Sequence, residues 1–273
     1  MKGRLSSVIH LKIVTLLTMS VQSFLRSHHS SLQWRPLVIG TLIGPAGFNS
    51  PFAQRHVRSV DLIEVRLDTY SFMGAPFSKA LSLSIQLLKK IKQEFKKPIL
   101  LTLRSYQEAS QPVSPRKRLN DSKRLALLKP LLDFCDLIDV EIRHLALAKT
   151  ITPLAHRKKV DVIHSFHDFK GPSRIEYLNQ LLKASQRLGG DVFKAALTPR
   201  NNKDLASFLN WGKTVQKPLP VLIGMGPIGF VSRFVGFSFG SVLTYGHLGK
   251  SAAPGQISAG ELMKSIRSIY RQP

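Results

Sequence analysis

A single lysine stands inside an otherwise apolar run, Asp191–Leu197, "DVFKAAL". An ammonium in such a place is costly unless it is paired or neutral. Either Lys194 lies at a strand end and reaches water, or it is kept there for chemistry. The chemistry open to a neutral amine is condensation with a carbonyl to a Schiff base. The iminium then draws electrons from the adjacent carbon, whose proton a base can remove. At an ordinary pKa of about 10.4, only about one lysine in 2,500 is neutral at pH 7. Neighbouring cations and partial burial both raise that fraction. His167, in "SFHDF" one predicted strand earlier, is the natural base. Glu108, in "LTLRSYQE", can orient its imidazole by the general logic of catalytic triads. Arg66, Arg104 and Arg233 provide forked donors for a carboxylate. Glu64 and Arg66 are two apart and so share one face of a strand. Gln256 follows in "SAAPGQ".

Taken singly, most of these residues admit a structural role. Glu64 and Arg66 can form a salt bridge on a barrel floor, His167 can be a satisfied core histidine and Asp168 a helix cap. Together, a lysine, a histidine and three arginines at one rim repel one another unless an anion is expected there.

The elements that position them alternate from Leu37 onward. Predicted strands are "LVIGTLIG", "DLIEVRLD", "PILLTLRS", "CDLIDVEI", "KVDVIHSFHD", "DVFKAAL", "PVLIGMG" and "SVLTYGH". They are mostly aliphatic and β-branched, as strands buried on both faces of a parallel sheet are. Between them, "SKALSLSIQLLKKIKQEF", "RKRLNDSKRLALLKPLLDF", "SRIEYLNQLLKASQRLGG" and "NKDLASFLNWGKTV" carry apolar residues at helical spacing. "ELMKSIRSIYRQP" adds a helix near the end. Eight strand units predict an α/β fold, a closed (β/α)8 TIM barrel in one domain over residues 36–273, with polar residues at the C-terminal ends of the strands. Gly224, Gly226 and Gly229 spell G-x-G-x-x-G after a strand, but no acidic residue lies between Asp204 and Glu261 to hold a ribose. The glycines read as a tight turn at the rim.

The chain has 273 residues, and 40 Lys+Arg against 16 Asp+Glu give a net charge of +24. Such charge attracts anions in general. The basic residues are scattered over many helices without an aromatic single-strand platform, so nucleic-acid binding is not expected. One cysteine, Cys135, excludes an internal disulfide and fits a reducing compartment. No histidine pair has metal-ligand spacing. Residues 1–35 are basic and precede the first acidic residue, Asp61. Their apolar run is too short to span a membrane. A signal or transit peptide fits the pattern, but the preferred reading is a disordered extension.

The set "EVRLD", "LTLRSYQE", "SFHDF", "FKAAL", "GFVSRFVG", "FGSVLTYG" and "APGQ" resembles type I 3-dehydroquinate dehydratase from about Leu37 to Ile269. The resemblance implies a cytoplasmic, homodimeric hydro-lyase of the shikimate pathway, with no cofactor. It implies a Schiff base between Lys194 and 3-dehydroquinate, with His167 as proton acceptor and donor and Glu108 as its partner. Glu64, Arg66 and Arg104 match residues that hold the ring and its hydroxyls. Arg233 matches the carboxylate-binding arginine and Gln256 the glutamine of a closing loop. Thr41 matches a hydroxyl residue of the first strand, and Met225 and Tyr245 match lining positions. The family's loop serine is replaced by Ala252, with Ser251 one residue earlier. Some relatives are fused to shikimate dehydrogenase, and this chain ends before such a domain. The alternatives are another Schiff-base barrel enzyme of the class I aldolase type, or a basic, non-catalytic binding protein.

Overall fold

The structure is a computed structural model that describes residues 24–27, 34–44, 50–109, 113–251 and 255–270. Eight parallel strands run β1 Leu37–Ile43, β2 Leu62–Arg66, β3 Ile99–Thr102, β4 Leu137–Glu141, β5 Asp161–Asp168, β6 Val192–Leu197, β7 Leu219–Gly224 and β8 Leu243–His247. Their order is β7-β6-β5-β4-β3-β2-β1-β8. The Val242 amide donates to the Pro220 carbonyl at 3.0 Å, which brings the two ends of this order together. The result is the predicted (β/α)8 barrel in one domain, and all eight predicted strands are present.

The alternation of side chains sorts the barrel into two zones. Leu37, Ile39, Leu62, Leu100, Leu137, Ile163, Val192 and Leu243 form one buried cluster inside the barrel. Two residues further along β2 to β6, the same inward face carries Glu64, Thr102, Asp139, Ser165 and Lys194, all buried. The lower interior is therefore apolar and the upper interior ionic. The opposite faces of the strands, with Val38, Ile63, Leu101, Val140, Val162 and Phe193, pack in a second cluster against the helices.

Besides the four-residue turns Phe24–Ser27 and Gly226–Gly229, the helices among the described residues are α1 Pro51–His56, α2 Phe77–Phe95, α3 Asp121–Leu131, α4 Leu145–Arg157, α5 Ile175–Leu188, α6 Asn202–Gly212, α7 Ser232–Val235 and α8 Ala259–Ile269. Sequence spacing predicts α3 from residue 116, but it begins after Asn120, whose side chain caps the Lys123 amide at 2.9 Å. Such a cap is worth about 1 kcal/mol and fixes the start. The strand-and-helix reading names no helix between β4 and β5, where α4 lies despite Pro153 in its interior.

Phe24–Ser27 lie within the stretch read as an extension. They form a short helical turn, with Phe24 and Leu25 buried in the inner apolar cluster. The Leu25 amide donates to Asp161 Oδ2 at 3.0 Å, at the start of β5. These residues cover the N-terminal end of the barrel. The predicted glycine turn is real: a Cβ on Gly224 would lie 2.5 Å from the Gly229 carbonyl oxygen, so two backbone segments touch there.

Candidate active site

At the C-terminal end of the strands, Glu64, Arg66, Arg104, Glu108, His167 and Lys194 line one cleft. Met225, Arg233, Tyr245 and Gln256 complete its far side. Thr41 stands just behind, donating to Glu64 Oε2 at 2.8 Å and accepting from Gln256 Nε2 at 3.3 Å. Every site residue predicted from sequence is thus at this mouth or one hydrogen bond from it. Ala252 lies outside the described residues.

Lys194 is the third residue of β6 and points into the barrel, not along a strand end to water; it is 5% exposed. Its Nζ meets Asp139 Oδ2 at 3.0 Å and lies 4.2 Å from the centre of the Tyr245 ring. The sequence leads one to expect neighbouring cations to lower the proton affinity of this amine, and names no acid as its partner. The structure corrects that expectation by placing a carboxylate against it. Burial pushes the Asp139 carboxyl up, but Arg104 and Lys194, then His167 and the Ser165 hydroxyl, outweigh it and hold it well below the usual carboxylate range.

His167 sits two residues further along β5, beside β6, where Ser165 pairs with Lys194 and His167 with Ala196. Its Nδ1 lies 3.2 Å from Glu108 Oε2, which also accepts the His167 backbone amide at 3.1 Å. That contact leaves Nε2 as the ring nitrogen for a reacting atom. Burial, then Arg104 and Lys194, pushes the imidazole well below its ordinary range, so at pH 7 it is neutral and its free ring nitrogen can accept a proton. Glu108 is delivered by a short turn, Tyr106–Glu108, that Ser105 opens by capping the Gln107 amide. Burial and the nearby Glu141 raise the Glu108 carboxyl to about 8, against the pull of Arg104 and Arg143. Its Oε1 is buried without a hydrogen-bond partner. The Glu108 contact at Nδ1 orients the ring and leaves Nε2 free to take a proton.

The three arginines differ. Arg66 forms a bidentate pair with Asp68 at 2.9 and 3.0 Å, not a salt bridge with Glu64. Glu64 instead accepts from Thr41 and Thr102. Arg104 is bound to Asp139 at 3.0 and 3.3 Å, to Glu141 at 3.1 Å and to Ser165 at 3.0 Å. Glu141 is held in turn by Arg124 and the Ser105 amide. Internal carboxylates thus relieve most of the repulsion expected at the rim. Arg233 alone has no carboxylate among these contacts. Its Nε and Nη1 donate to the Gly255 and Tyr245 carbonyls, and its Nη2 is buried with no partner. Burial lowers it to about 10, still cationic at pH 7. Ser232 anchors this segment by accepting the Gly224 amide at 2.7 Å. A buried guanidinium with a spare donor, facing a cleft, has the chemistry to hold a carboxylate. Asp168 is not the helix cap expected: its oxygens accept the Lys170 amide and the Ser173 hydroxyl in the loop before α5, whose N-cap is Arg174.

Sequence reasoning passed over Asp139, Glu141, Asp68 and Arg124. The signal for the first two was present, as acidic residues two apart in an apolar strand, "LIDVE". Arg124 reaches Glu141 from a separate helix, and no local spacing announces that.

Residues 51–273 match the family model described as Type I 3-dehydroquinase. A relative named catabolic 3-dehydroquinate dehydratase, from Acinetobacter baylyi, is 32% identical over 221 residues, covering 79% of this chain and 78% of the relative. The 3-dehydroquinate dehydratase of Aquifex aeolicus is 29% identical over 236 residues, covering 86% of this chain and 100% of its own length. A solved type I 3-dehydroquinate dehydratase from Clostridium difficile, with covalently modified comenic acid, aligns with a TM-score of 0.76 and 26% identity over 88% of this chain and 94% of that one. With this match laid over a cleft that pairs a buried amine with an imidazole and a carboxylate-ready arginine, the chain belongs to the type I 3-dehydroquinase family.

Proposed function

We propose that this chain is a hydro-lyase that converts 3-dehydroquinate to 3-dehydroshikimate through a Schiff base on Lys194, in the shikimate pathway. The observation that carries the reading is the convergence of Lys194, the His167–Glu108 pair and the partnerless Nη2 of Arg233 on one cleft. Arg233 grips the substrate carboxylate. The Lys194 nitrogen bonds the ketone carbon, and the carbonyl oxygen leaves as water. His167 Nε2 takes the proton from the carbon beside the iminium, and the C–H electron pair moves towards nitrogen as an enamine. The enamine then expels the substrate hydroxyl, which leaves as water with the proton that His167 returns. Hydrolysis of the conjugated iminium frees the product and the amine. Glu64, with Thr41 and Gln256, faces the ring hydroxyls, Arg66 and Arg104 line the same side, and Met225 and Tyr245 pack its apolar edge. No cofactor enters these steps.

Family resemblance extends the reading to a homodimer, and the single cysteine to a reducing cytoplasm. The same reading takes residues 36–273 as the barrel domain and residues 1–35 as a basic extension, of which Phe24 and Leu25 pack into the inner apolar cluster. The test is intact-mass spectrometry after borohydride reduction with 3-dehydroquinate present. One substrate-derived adduct, mapping to Lys194, is expected. Turnover with no trapped adduct would overturn the covalent mechanism.

A further inference from the structure

Asp139 is not required by the steps above, yet it is the group closest to the reacting nitrogen. Its side chain is wholly buried, and both oxygens are occupied. Oδ1 accepts from Arg104 Nη1 at 3.0 Å and from Ser165 at 2.6 Å, and Oδ2 accepts from Lys194 at 3.0 Å and Arg104 Nη2 at 3.3 Å. With four donors around two oxygens it has no lone pair to offer a substrate, so it is neither a base nor a binding group. It is a fixed negative charge aimed at Nζ.

We propose that Asp139 is the counter-ion of the Schiff base, holding the positive charge at the lysine nitrogen before and after condensation and driving the carbinolamine on to the iminium. The inference rests on the covalent role of Lys194 proposed above. Atom by atom, the ammonium and the ketone become an iminium and water. Two of the three ammonium hydrogens leave with the carbonyl oxygen, one stays, and C=N replaces C=O. The nitrogen carries a unit positive charge at both ends of this step and none in the amine and carbinolamine between them. A carboxylate 3.0 Å away therefore favours the two end states over the neutral ones. It opposes loss of the first proton and assists loss of the hydroxyl. When His167 then takes the carbon-bound proton, the positive charge moves from nitrogen to the imidazole, which also interacts electrostatically with Asp139. One anion thus serves the charge in both positions.

The other groups around Asp139 do not duplicate this. Arg104 neutralises part of its charge but is itself shared with Glu141, which Arg124 also holds. Glu64, from β2, is turned to Thr41 and Thr102. Tyr245, from β8, offers its ring face to Nζ, and burial keeps its hydroxyl protonated. The acid facing Nζ at hydrogen-bond distance is Asp139.

The test follows borohydride trapping on Lys194 in Asp139→Asn and Asp139→Ala, each checked for folding by thermal melting. Removing a preorganised charge from a reacting centre should slow trapping and kcat by about 10²-fold. KM should change far less, because Asp139 does not touch substrate. In the Ala variant, added formate should restore trapping and formamide, of the same shape, should not. Formamide rescue equal to formate would assign Asp139 a purely structural role. Wild-type trapping rates in either variant would likewise overturn the proposal. Should Asp139→Asn not fold, the formate and formamide comparison in Asp139→Ala decides. If wild-type protein turns over without any adduct, the Schiff base itself fails, a result distinct from failure of the counter-ion.

Discussion

His164 and His167 lie three residues apart on β5 and have opposite surroundings. His164 is fully buried between the barrel wall and the helices. Its Nε2 meets the Thr152 hydroxyl at 3.0 Å and its Nδ1 the Ser185 hydroxyl at 2.9 Å. Gly190 leaves room for it, since a Cβ there would lie 2.5 Å from Nδ1. Each ring nitrogen has its partner, and nothing is left over. At the mouth, Glu108 Oε1, Arg233 Nη2 and the Tyr245 hydroxyl are buried without partners. Such atoms occur elsewhere among the described residues, in Tyr70, Arg124 and His247. At the mouth, however, three of them line one cleft. Buried polar groups are costly when unmatched. A fold that satisfies its wall and leaves its mouth unmatched has kept that capacity for a ligand. Both histidines are driven down by burial, so titration behaviour alone would not tell them apart. What separates them is whether their partners are complete.

Lys194→Ala should break the mouth and spare the wall. A loss of at least about 10³-fold in kcat is expected, as for other covalent nucleophiles, with melting temperature held. Retained dehydration would show that the cleft works without its amine. Arg233→Ala comes next. Steady-state kinetics should show KM up by about 10²-fold from loss of a buried charged hydrogen bond. An unchanged KM would mean that its spare donor serves no carboxylate.

The wall is tested by His164→Leu, which leaves two hydroxyls facing a hydrocarbon. A stability loss of about 1–3 kcal/mol in urea unfolding at pH 7 is expected, with kcat little changed. The pH dependence carries a sign. Burial, set against the nearby Asp191, brings the folded His164 from its ordinary 6.5 to about 4. Between those values the unfolded chain binds the extra proton, so wild-type stability falls as pH drops through that window. The Leu variant should lack this component, and an equally steep decline in the variant would assign it to other groups.

Much of this division was legible beforehand. The strands announce themselves because both faces are buried, leaving continuous apolar runs with few polar interruptions. Lys194 and His167 were found as such interruptions. Asp139 and Glu141 interrupt β4 in the same manner, but acids on a strand read as an ordinary polar face until their partners are seen to be Arg104, Arg124 and Lys194. Helix α4 was missed although Leu147, Ala148, Ile151 and Ala155 lie at helical spacing. Pro153 and two threonines weaken its local preference, and packing against the barrel restores it. The neutralisation of Arg66 by Asp68 was available from the adjacent "EVRLD". That of Arg104 was not, because its acids lie 35 and 37 residues away.

The turn at Phe24 and Leu25 sets a boundary for anyone who shortens this protein. A chain started at residue 36 would remove Phe24 and Leu25 from the inner apolar cluster and deprive Asp161 of the Leu25 amide it holds. That underside would be greasy and in search of another molecule to cover it. Tags and fusions are therefore better joined upstream of this stopper than in its place.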